Sequence, residues 1–300
     1  MRIFITGATG FIGFELAQRF RRAGHEVWGL ARSVKKAILL RQNEIKPVIG
    51  DMGSPESYRG IAAECSVLIH AAAEYSERAV ELDRKTVQTL IEASQGALQI
   101  KTFIYTSGCW VYGNTGRAPV DESAPLRPPA LVAARPETER MVLGAKGLRS
   151  MVIRPGCVYG KQGSLTGSWF QAADERRALE TIGSGDNRWS MVHVDDVVEG
   201  YRLAAEKGHS GEIFNLSDGS STPVREMVAA IGEVAKIPGP VRSIPLEAAT
   251  QNLGPLAQCL ALDQAIDSSK AESKLGWNPR HHGFVRGVDQ YYDAWKAFRG

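Results

Sequence analysis

Short apolar runs alternate with longer amphipathic stretches over the first two thirds of the chain. The runs predict β-strands at residues 2–5, 26–30, 46–49, 67–70, 102–106, 150–153 and 212–215. Their nearly continuous apolar, β-branched character is typical of strands that are covered on both faces in a parallel sheet. The amphipathic stretches predict helices at residues 11–23, 55–63, 78–94 and 132–143. This alternation indicates an α/β fold built on a doubly wound parallel sheet.

The last third of the chain has a different pattern. It predicts helices at residues 224–236, 246–258, 268–275 and 284–298, separated by breaks that contain Pro and Gly. We expect a smaller, mostly helical C-terminal lobe that lies over the carboxyl ends of the strands, where open α/β sheets bind ligands.

A glycine-rich turn joins the first predicted strand to the first predicted helix, and it reads Thr6-Gly7-Ala8-Thr9-Gly10-Phe11-Ile12-Gly13. Gly7 allows a tight turn, Gly10 lets backbone N–H groups approach a pyrophosphate, and Gly13 lets the helix pack closely on the sheet. The N-terminus of the helix also offers unpaired N–H groups and the positive end of its dipole to an anion. Because this motif has its required strand–turn–helix context, it predicts a Rossmann-type dinucleotide site. The predicted contacts are Gly7, Thr9, Gly10, Phe11, Ile12 and Gly13.

The end of the second predicted strand bears on the choice of dinucleotide. NAD sites usually place Asp or Glu there to bind the ribose 2′-hydroxyl, and this chain has Ala31. Arg32 follows, and a guanidinium matches a phosphate through two N–H groups, while Ser33 can donate to the same phosphate. We therefore predict NADP(H), with NAD as the alternative. A solvated Arg32 at the start of a loop is the competing interpretation.

These motifs predict a dinucleotide-binding domain at residues 1–154, to which residues 187–216 return, and a substrate-binding lobe formed by residues 155–186 and 217–300.

Composition restricts the classes of binding partner that we expect. The chain has 300 residues, a formal charge of +3 and no basic stripe, so we expect no nucleic-acid partner. It has no apolar run of about 20 residues and no signal-peptide pattern, so we expect a cytoplasmic protein without a membrane partner. Its four scattered cysteines suggest neither a metal site nor disulfides.

Together with the glycine motif, five further motifs occur in order over the first two thirds of the chain, and Ser269-Lys270 and Leu275-Gly276-Trp277-Asn278-Pro279 follow near its end. The five are Gly50-Asp51-Met52, His70-Ala71-Ala72-Ala73, Tyr105-Thr106-Ser107-Gly108-Cys109-Trp110-Val111-Tyr112-Gly113, Arg154-Pro155-Gly156-Cys157-Val158-Tyr159-Gly160 and Val192-His193-Val194-Asp195-Asp196. On these motifs the chain resembles the extended short-chain dehydrogenase/reductase family, also called the NAD-dependent epimerase/dehydratase family. The resemblance implies that Asp51 binds the adenine amino group. It also implies further cofactor contacts from Met52, Ala71, Ala72, Ala73, Thr106, Arg135, Pro155, Gly156 and Val158.

The chain departs from the family at the residues that carry catalysis. Members that transfer hydride use a Ser or Thr, a Tyr and a Lys, with the Tyr and Lys four residues apart. Here Leu131 and Arg135 stand at the Tyr and Lys positions, and Gly108 stands at the Ser position beside Ser107. Leucine carries no proton, and loss of a general acid typically lowers a rate about 10²–10⁴-fold. The resemblance is thus to an atypical branch that lacks the Tyr-x-x-x-Lys pair.

From this resemblance we expect an NADP(H)-dependent oxidoreductase that acts on a carbonyl or alcohol of a small organic substrate, with a non-standard proton donor. Arg135 would hold the nicotinamide ribose, Ser107 would polarise the reacting oxygen, and Tyr75 could reach the nicotinamide side of the cleft. Two alternatives stay open: a non-catalytic NADP(H)-binding sensor or assembly protein, and a nucleotide-sugar-type epimerase or dehydratase with bound NAD(P).

Other candidate residues have structural interpretations that we favour. Tyr112, Tyr159 and His193 fall at family positions that mostly pack or cap, and nothing in the sequence indicates a reactive Cys109. Arg176, Arg177 and Arg188 could hold an anionic group, although a solvated face is the simpler interpretation.

Two further observations concern the substrate and the assembly. Trp110, Trp169 and Trp189 border the cleft in the family, which allows an apolar or aromatic substrate. Family members often dimerise through the helices predicted at 78–94 and 132–143, which makes a homodimer possible.

Overall fold

The computed structural model describes residues 1–74, 76–95 and 99–299 and has a parallel sheet at its centre. The strands are β1 (Arg2–Thr6), β2 (Glu26–Ala31), β3 (Lys46–Ile49), β4 (Val67–His70), β5 (Lys101–Thr106), β6 (Leu148–Pro155), β7 (Cys157–Tyr159), β8 (Glu180–Ile182), β9 (Met191–His193), β10 (Glu212–Leu216) and β11 (Arg242–Ile244). The central sheet has seven strands in the order β10-β6-β5-β4-β1-β2-β3. These are the seven predicted strands, so the predicted α/β, doubly wound parallel sheet is confirmed.

Helices cover both faces of this sheet and make up most of the C-terminal part. They are α1 (Phe11–Arg22), α2 (Val34–Gln42), α3 (Arg59–Glu64), α4 (Ala79–Glu92), α5 (Arg135–Leu143), α6 (Gly167–Asp174), α7 (Val194–Lys207), α8 (Val224–Ala235), α9 (Leu246–Leu253), α10 (Leu256–Leu260), α11 (Ser269–Leu275) and α12 (Val288–Ala297). Single 3₁₀ turns occur at Pro55–Ser57, Cys109–Tyr112, Ala130–Val132, Ser164–Thr166 and Phe284–Gly287. No helix in the described part of the chain is both long and apolar enough to cross a membrane.

Proline and glycine account for two of the differences between the predicted and the observed helices. The helix expected at residues 132–143 begins at Arg135, with Pro136 in its first turn, where a missing N–H costs no hydrogen bond. The helix expected at residues 246–258 is broken into α9 and α10 at Gly254, whose φ is 57°, and Pro255. The prediction also missed β7, β8, β9 and β11, which are three residues long and show no readable alternation.

Four groups of buried side chains hold the described part of the fold together, and the smallest of them contains Cys109, Val111, Tyr112 and Ile266. One lies between the sheet and helices α1 and α7, and a second lies on the opposite face under α3, α4 and α5. The third is the core of the C-terminal lobe and is rich in aromatic rings, including Phe170, Trp189, Phe284 and Trp295. Trp169 and Trp189 stack there with ring centroids 4.7 Å apart, so both belong to this lobe's packing.

Candidate functional site

The turn between β1 and α1 is packed so tightly that it requires glycine. Gly7 has φ +72°, and a Cβ on it would lie 2.6 Å from the carbonyl oxygen of Ala71, at the end of β4. A Cβ on Gly13 would lie 2.1 Å from the carbonyl oxygen of Gly7. Gly10 caps α1 without a side-chain hydrogen bond, and the first turn contains no acidic residue. The N–H groups at this helix end are thus open to an anion, and the turn fits a pyrophosphate.

The residues predicted to bind the adenosine part of the dinucleotide lie beyond the ends of β2 and β3. The Arg32 side chain is 70% exposed, and its Nη1 lies 3.1 Å from Glu74 Oε2. Because β1 lies between β2 and β4, this ion pair crosses the carboxyl end of β1. Ser33 caps α2 by accepting a hydrogen bond from the Lys36 N–H, which leaves its own hydroxyl hydrogen free to donate.

Asp51 and Met52 differ in how their side chains are placed. The exposed Asp51 carboxylate accepts a 2.8 Å hydrogen bond from the Gly53 N–H, and Met52 is buried in the core. Of these two residues, Asp51 is the one whose side chain faces outward.

A cleft of about 740 Å³ lies beyond the carboxyl ends of β4, β5 and β6. It brings together many of the predicted residues: Ile12, Ala72, Ala73, Ser107, Leu131, Arg135, Pro155, Gly156 and Val158. The C-terminal lobe adds Leu253, Pro255 and Leu256, which lie where α9 meets α10 and were not predicted from the sequence. Trp110 lines the same cleft, so its predicted position at the cleft agrees with the structure. The cleft is therefore largely apolar and is lined by residues from both parts of the chain.

Ser107 has a buried hydroxyl without a partner. The residue is 5% exposed, and its backbone N–H donates to the carbonyl oxygen of Ile153 at 2.8 Å. Its Oγ, by contrast, has no hydrogen-bond partner among the described residues, although it lies in the cleft lining. Buried polar groups nearly always have partners, so this hydroxyl is available to donate to a ligand in the cleft.

Leu131 and Arg135 both line the cleft, as their positions in the motif imply. The Leu131 side chain lies in the 3₁₀ turn before α5 and is 42% exposed. Arg135 is anchored to the end of β5, because its Nη1 donates to the carbonyl oxygen of Thr106 at 2.9 Å. The Thr106 hydroxyl accepts a hydrogen bond from Tyr201, so Thr106 supports this region through its backbone and its half-buried hydroxyl.

Asp83, on α4, is a charged cleft residue that the sequence analysis missed. Its Oδ1 lies 3.1 Å from His70 Nε2, and its Oδ2 accepts a 2.9 Å hydrogen bond from the Tyr105 hydroxyl. Burial acts to raise the pKa of Asp83, but the hydrogen bond to His70 and the charge of Arg135 outweigh it, so the pKa lies below its usual value. The signal was present in the sequence, because Asp83 falls on the apolar face of an amphipathic helix.

The remaining candidate acids and bases are unsuited to proton transfer at the cleft. Burial raises the pKa of Tyr112, Tyr159 and Cys109. Tyr112 is also bonded on both sides, since it donates to Asn215 and accepts from Arg154. Tyr75, the third tentative catalytic residue, lies outside the described residues.

The arginines considered for anion binding are held away from the cleft. Arg188 forms a two-point ion pair with Asp263, with N–O distances of 2.8 and 2.7 Å. Arg177 pairs with Glu175, and Arg176 donates to a backbone carbonyl oxygen. Among the described residues, the charged side chains that line the cleft are those of Glu74, Asp83 and Arg135.

His193, Asp195 and His281 form a group whose possible ligand atoms lie within 4.8 Å of one another. The rings of His193 and His281 are stacked, with centroids 3.8 Å apart and planes 24° from parallel, so their in-plane lone pairs do not converge on one point. Lys161 Nζ also lies 2.6 Å from Asp195 Oδ1 and occupies that carboxylate. This arrangement suits packing and helix capping better than it suits a metal ion.

Comparisons with known proteins show the family and the fold of this chain. The family model described as "NAD dependent epimerase/dehydratase family" matches residues 3–217. An uncharacterized protein of Schizosaccharomyces pombe is 31% identical over 287 residues, covering 94% of this chain and 96% of that protein. A 4-hydroxy-2-methyl-3-oxo-4-farnesyl-3,4-dihydroquinoline-1-oxide ketoreductase of Stigmatella aurantiaca is 32% identical and covers 100% of this chain and 98% of the relative. A solved UDP-glucose 4-epimerase of Thermotoga maritima shares the fold, with a TM-score of 0.84, 23% identity and full coverage of both chains.

Proposed function

The chain belongs to the NAD-dependent epimerase/dehydratase family, and from that premise we propose that it is an NADP(H)-dependent oxidoreductase that reduces the carbonyl group of an apolar small molecule. The observation that carries this proposal is the orphaned hydroxyl of Ser107 in the wall of an otherwise apolar cleft. A carbonyl oxygen seated there would accept the hydrogen bond that Ser107 lacks.

The cofactor part of the proposal uses the residues around the β1–α1 turn. The amides that follow Gly10 would hold the pyrophosphate, and Arg32 and Ser33 would hold a 2′-phosphate. To do so, Arg32 has to exchange its ion pair with Glu74 for the phosphate, and its 70% exposure leaves it free to turn. A bound NADPH supplies the hydride, and Arg135 would hold its nicotinamide ribose at the cleft.

The substrate part of the proposal uses the cleft walls. Trp110, Leu131 and the Leu253–Leu256 corner present apolar surface that would be covered by an apolar ring or chain. The ketoreductase relative acts, by its name, on a ketone with a farnesyl chain, which is a substrate of this kind. A nucleotide sugar fits less well, because its diphosphate would meet Arg135 as the sole cation among the described cleft residues.

The proton for the carbonyl oxygen would come from water. Leu131 has no proton to give, and the lowered pKa of Asp83 keeps that carboxyl ionised at neutral pH. Ser107 would stabilise the negative charge that develops on the oxygen as hydride arrives, and water entering the open cleft would then protonate it.

The experiment is a comparison of two substrate classes on the purified protein. With NADPH and a neutral bicyclic aryl ketone such as 1-tetralone, we expect oxidation of the cofactor and an equal amount of alcohol. With NADP⁺ and UDP-glucose we expect no epimer. NADPH binding without turnover on a ketone panel would favour the sensor alternative, and conversion of UDP-glucose would favour the epimerase; either result would contradict the proposal.

A further inference from the structure

The segment between β7 and α6, residues 160–166, forms part of the cleft wall and turns sharply. Ser164 and Leu165 from this segment line the cleft. Lys161 and Ser164 have positive φ angles of 48° and 45°, a conformation that costs free energy for residues other than glycine. Such a backbone persists only where its surroundings hold it, so the contacts of the 160–166 segment determine the shape of this part of the wall.

Lys161 connects this segment to two helices. Its Nζ donates to Asp195 Oδ1 at 2.6 Å, in the first turn of α7, and it also donates to Glu15 Oε2 on α1. The Glu15 side chain is 9% exposed and that of Lys161 is 26% exposed, so solvent and salt screen this pair less than they screen a surface ion pair. The ammonium group is therefore held in one place between the two helices.

Other contacts fix the turn itself. Gly160 packs against the ring of His193, and a Cβ on it would lie 2.3 Å from Nε2 of that ring. The Gly163 N–H donates to the carbonyl oxygen of Gly160 at 2.9 Å, and the Thr166 hydroxyl donates to the carbonyl oxygen of Gly163 at 2.6 Å. These contacts lie within or beneath the turn, whereas Lys161 ties the turn to α1 and α7.

The α1 helix also carries the glycine turn that would bind the cofactor. Glu15 lies two residues after Gly13 of that motif, and Ile12 from the start of the same helix lines the cleft. Lys161 thus joins the helix at the cofactor turn to the segment that presents Leu165. Leu165 is half-buried and packs against the core of the C-terminal lobe, so this segment lies where the two parts of the chain meet.

We propose that Lys161 is a positioning residue, which fixes the 160–166 segment against α1 and α7 so that Leu165 meets the substrate at a set place in the cleft. Lys161 itself lies outside the cleft lining, so it acts through Leu165. The inference rests on the proposed function, since it needs a ketone in the cleft.

The test is the steady-state reduction of 1-tetralone by NADPH. Lys161→Met removes the ammonium group and keeps an apolar side chain of similar shape. The matched control is Lys270→Met, because the Lys270 side chain is 28% exposed and its Nζ pairs with Glu212 at 2.7 Å outside the cleft lining. Lys161→Arg keeps the charge and the N–H donors.

We expect Lys161→Met to raise KM for 1-tetralone about tenfold, because an apolar contact with the substrate is lost. The same contact is lost from the transition state, so kcat should stay unchanged, and so should the Kd of NADPH. A merely structural role would give a different result, since partial unfolding reduces the number of active molecules and lowers kcat at an unchanged KM. Lys270→Met should change neither constant, and Lys161→Arg should keep KM close to that of the wild type.

A double variant covers the case in which Lys161→Met does not fold because the buried charge of Glu15 has lost this partner. Glu15→Gln combined with Lys161→Met removes both charges, and we expect the same rise in KM. A wild-type KM in either folded variant, or a fall in kcat alone, would overturn the inference. If the wild-type protein reduced no ketone, the proposed function itself would fail, and the inference with it.

Discussion

Ser107 is the residue on which the proposed chemistry depends. We predict that Ser107→Ala lowers kcat for ketone reduction about 10²-fold, because a hydrogen bond to the developing oxyanion is lost. NADPH affinity should stay the same. The free energy of unfolding should not fall, since the hydroxyl has no partner to lose in the folded protein. Steady-state kinetics and thermal unfolding measure the two effects.

Ser150→Ala provides the matched control for this prediction. Ser150 is also buried with an orphaned hydroxyl, but it lies in β6 away from the cleft lining. Its removal should leave kcat unchanged. Equal kcat values for Ser107→Ala and the wild type would mean that the Ser107 hydroxyl takes no part in the reaction.

Arg32 decides between the two nicotinamide cofactors in this account. We predict that Arg32→Ala weakens NADPH binding about tenfold or more and leaves NADH binding nearly unchanged, because only NADPH carries the 2′-phosphate. Calorimetric titration of the variant with both cofactors checks the prediction, and NADH serves as the internal control. Equal losses for the two cofactors would assign Arg32 a role that does not involve the phosphate.

His193 makes the stability of the fold depend on pH. Burial and the neighbouring charge of His281 lower the pKa of His193 to about 4 from 6.5. Between these values the unfolded chain binds the proton and the folded chain does not, so the free energy of unfolding falls as the pH is lowered from about 6.5 to 4. We predict that His193→Asn, which can still accept from the Asp195 N–H, flattens this part of the profile.

The measurement is chemical denaturation at a series of pH values. His209→Asn is the control, since His209 lies in a partly exposed loop and is not buried as His193 is. If His193→Asn kept the full acid dependence of the wild type, protonation of another group would have to cause it.

At the scale of elements, the corner between α9 and α10 should set substrate preference. Leu253 is 45% exposed and lines the cleft, whereas Leu246 on the same helix is 38% exposed and lies outside the lining. We predict that Leu253→Ser raises KM for apolar ketones about tenfold, because an apolar contact with the substrate is lost. Leu246→Ser should not change KM. Equal KM values for both variants and the wild type would remove this corner from the substrate site.

The α4 and α5 helices show why a homodimer stays a prediction. The helical repeat of apolar residues on α4 is explained within one chain, since Val87, Leu90 and Ile91 pack in the core. The outward surface of the two helices is charged and includes the ion pair between Arg84 and Glu137. The apolar repeat in the sequence therefore provides no evidence for an interface between copies.

How far the sequence predicts this molecule depends on how local each feature is. The seven central strands are buried on both faces, so each reads as an apolar run, and the β1–α1 turn is specified by eight consecutive residues. The site beyond this turn depends on contacts between distant segments. Asp83 enters the cleft because α4 packs against β4 and β5, and Leu253 enters it because the C-terminal lobe reaches the sheet. The position of Asp83 on the apolar face of α4 indicates burial but not which strands it meets, and the position of Leu253 has no signal in neighbouring residues.

At the scale of the whole molecule, the cleft is formed by both parts of the chain. The sheet with its connecting turns and helices provides the glycine turn, Ser107 and Arg135, and the C-terminal lobe adds apolar lining at Leu253, Pro255 and Leu256. The assignment of residues 155–186 and 217–300 to a substrate-binding lobe stays a prediction, and the residues that this lobe adds to the cleft lining support it. It follows that the reaction needs the complete chain, because either part alone would leave one side of the cleft open to water.

The most direct test of the account follows the hydride itself. Wild-type protein is mixed with NADPH that carries deuterium at one face of the nicotinamide C4, and separately with the opposite label, together with an apolar ketone. We predict deuterium on the carbinol carbon of the alcohol from one of the two labelled cofactors only. Alcohol without deuterium from either cofactor, or bound NADPH that never transfers its label to any ketone of the panel, would contradict the account.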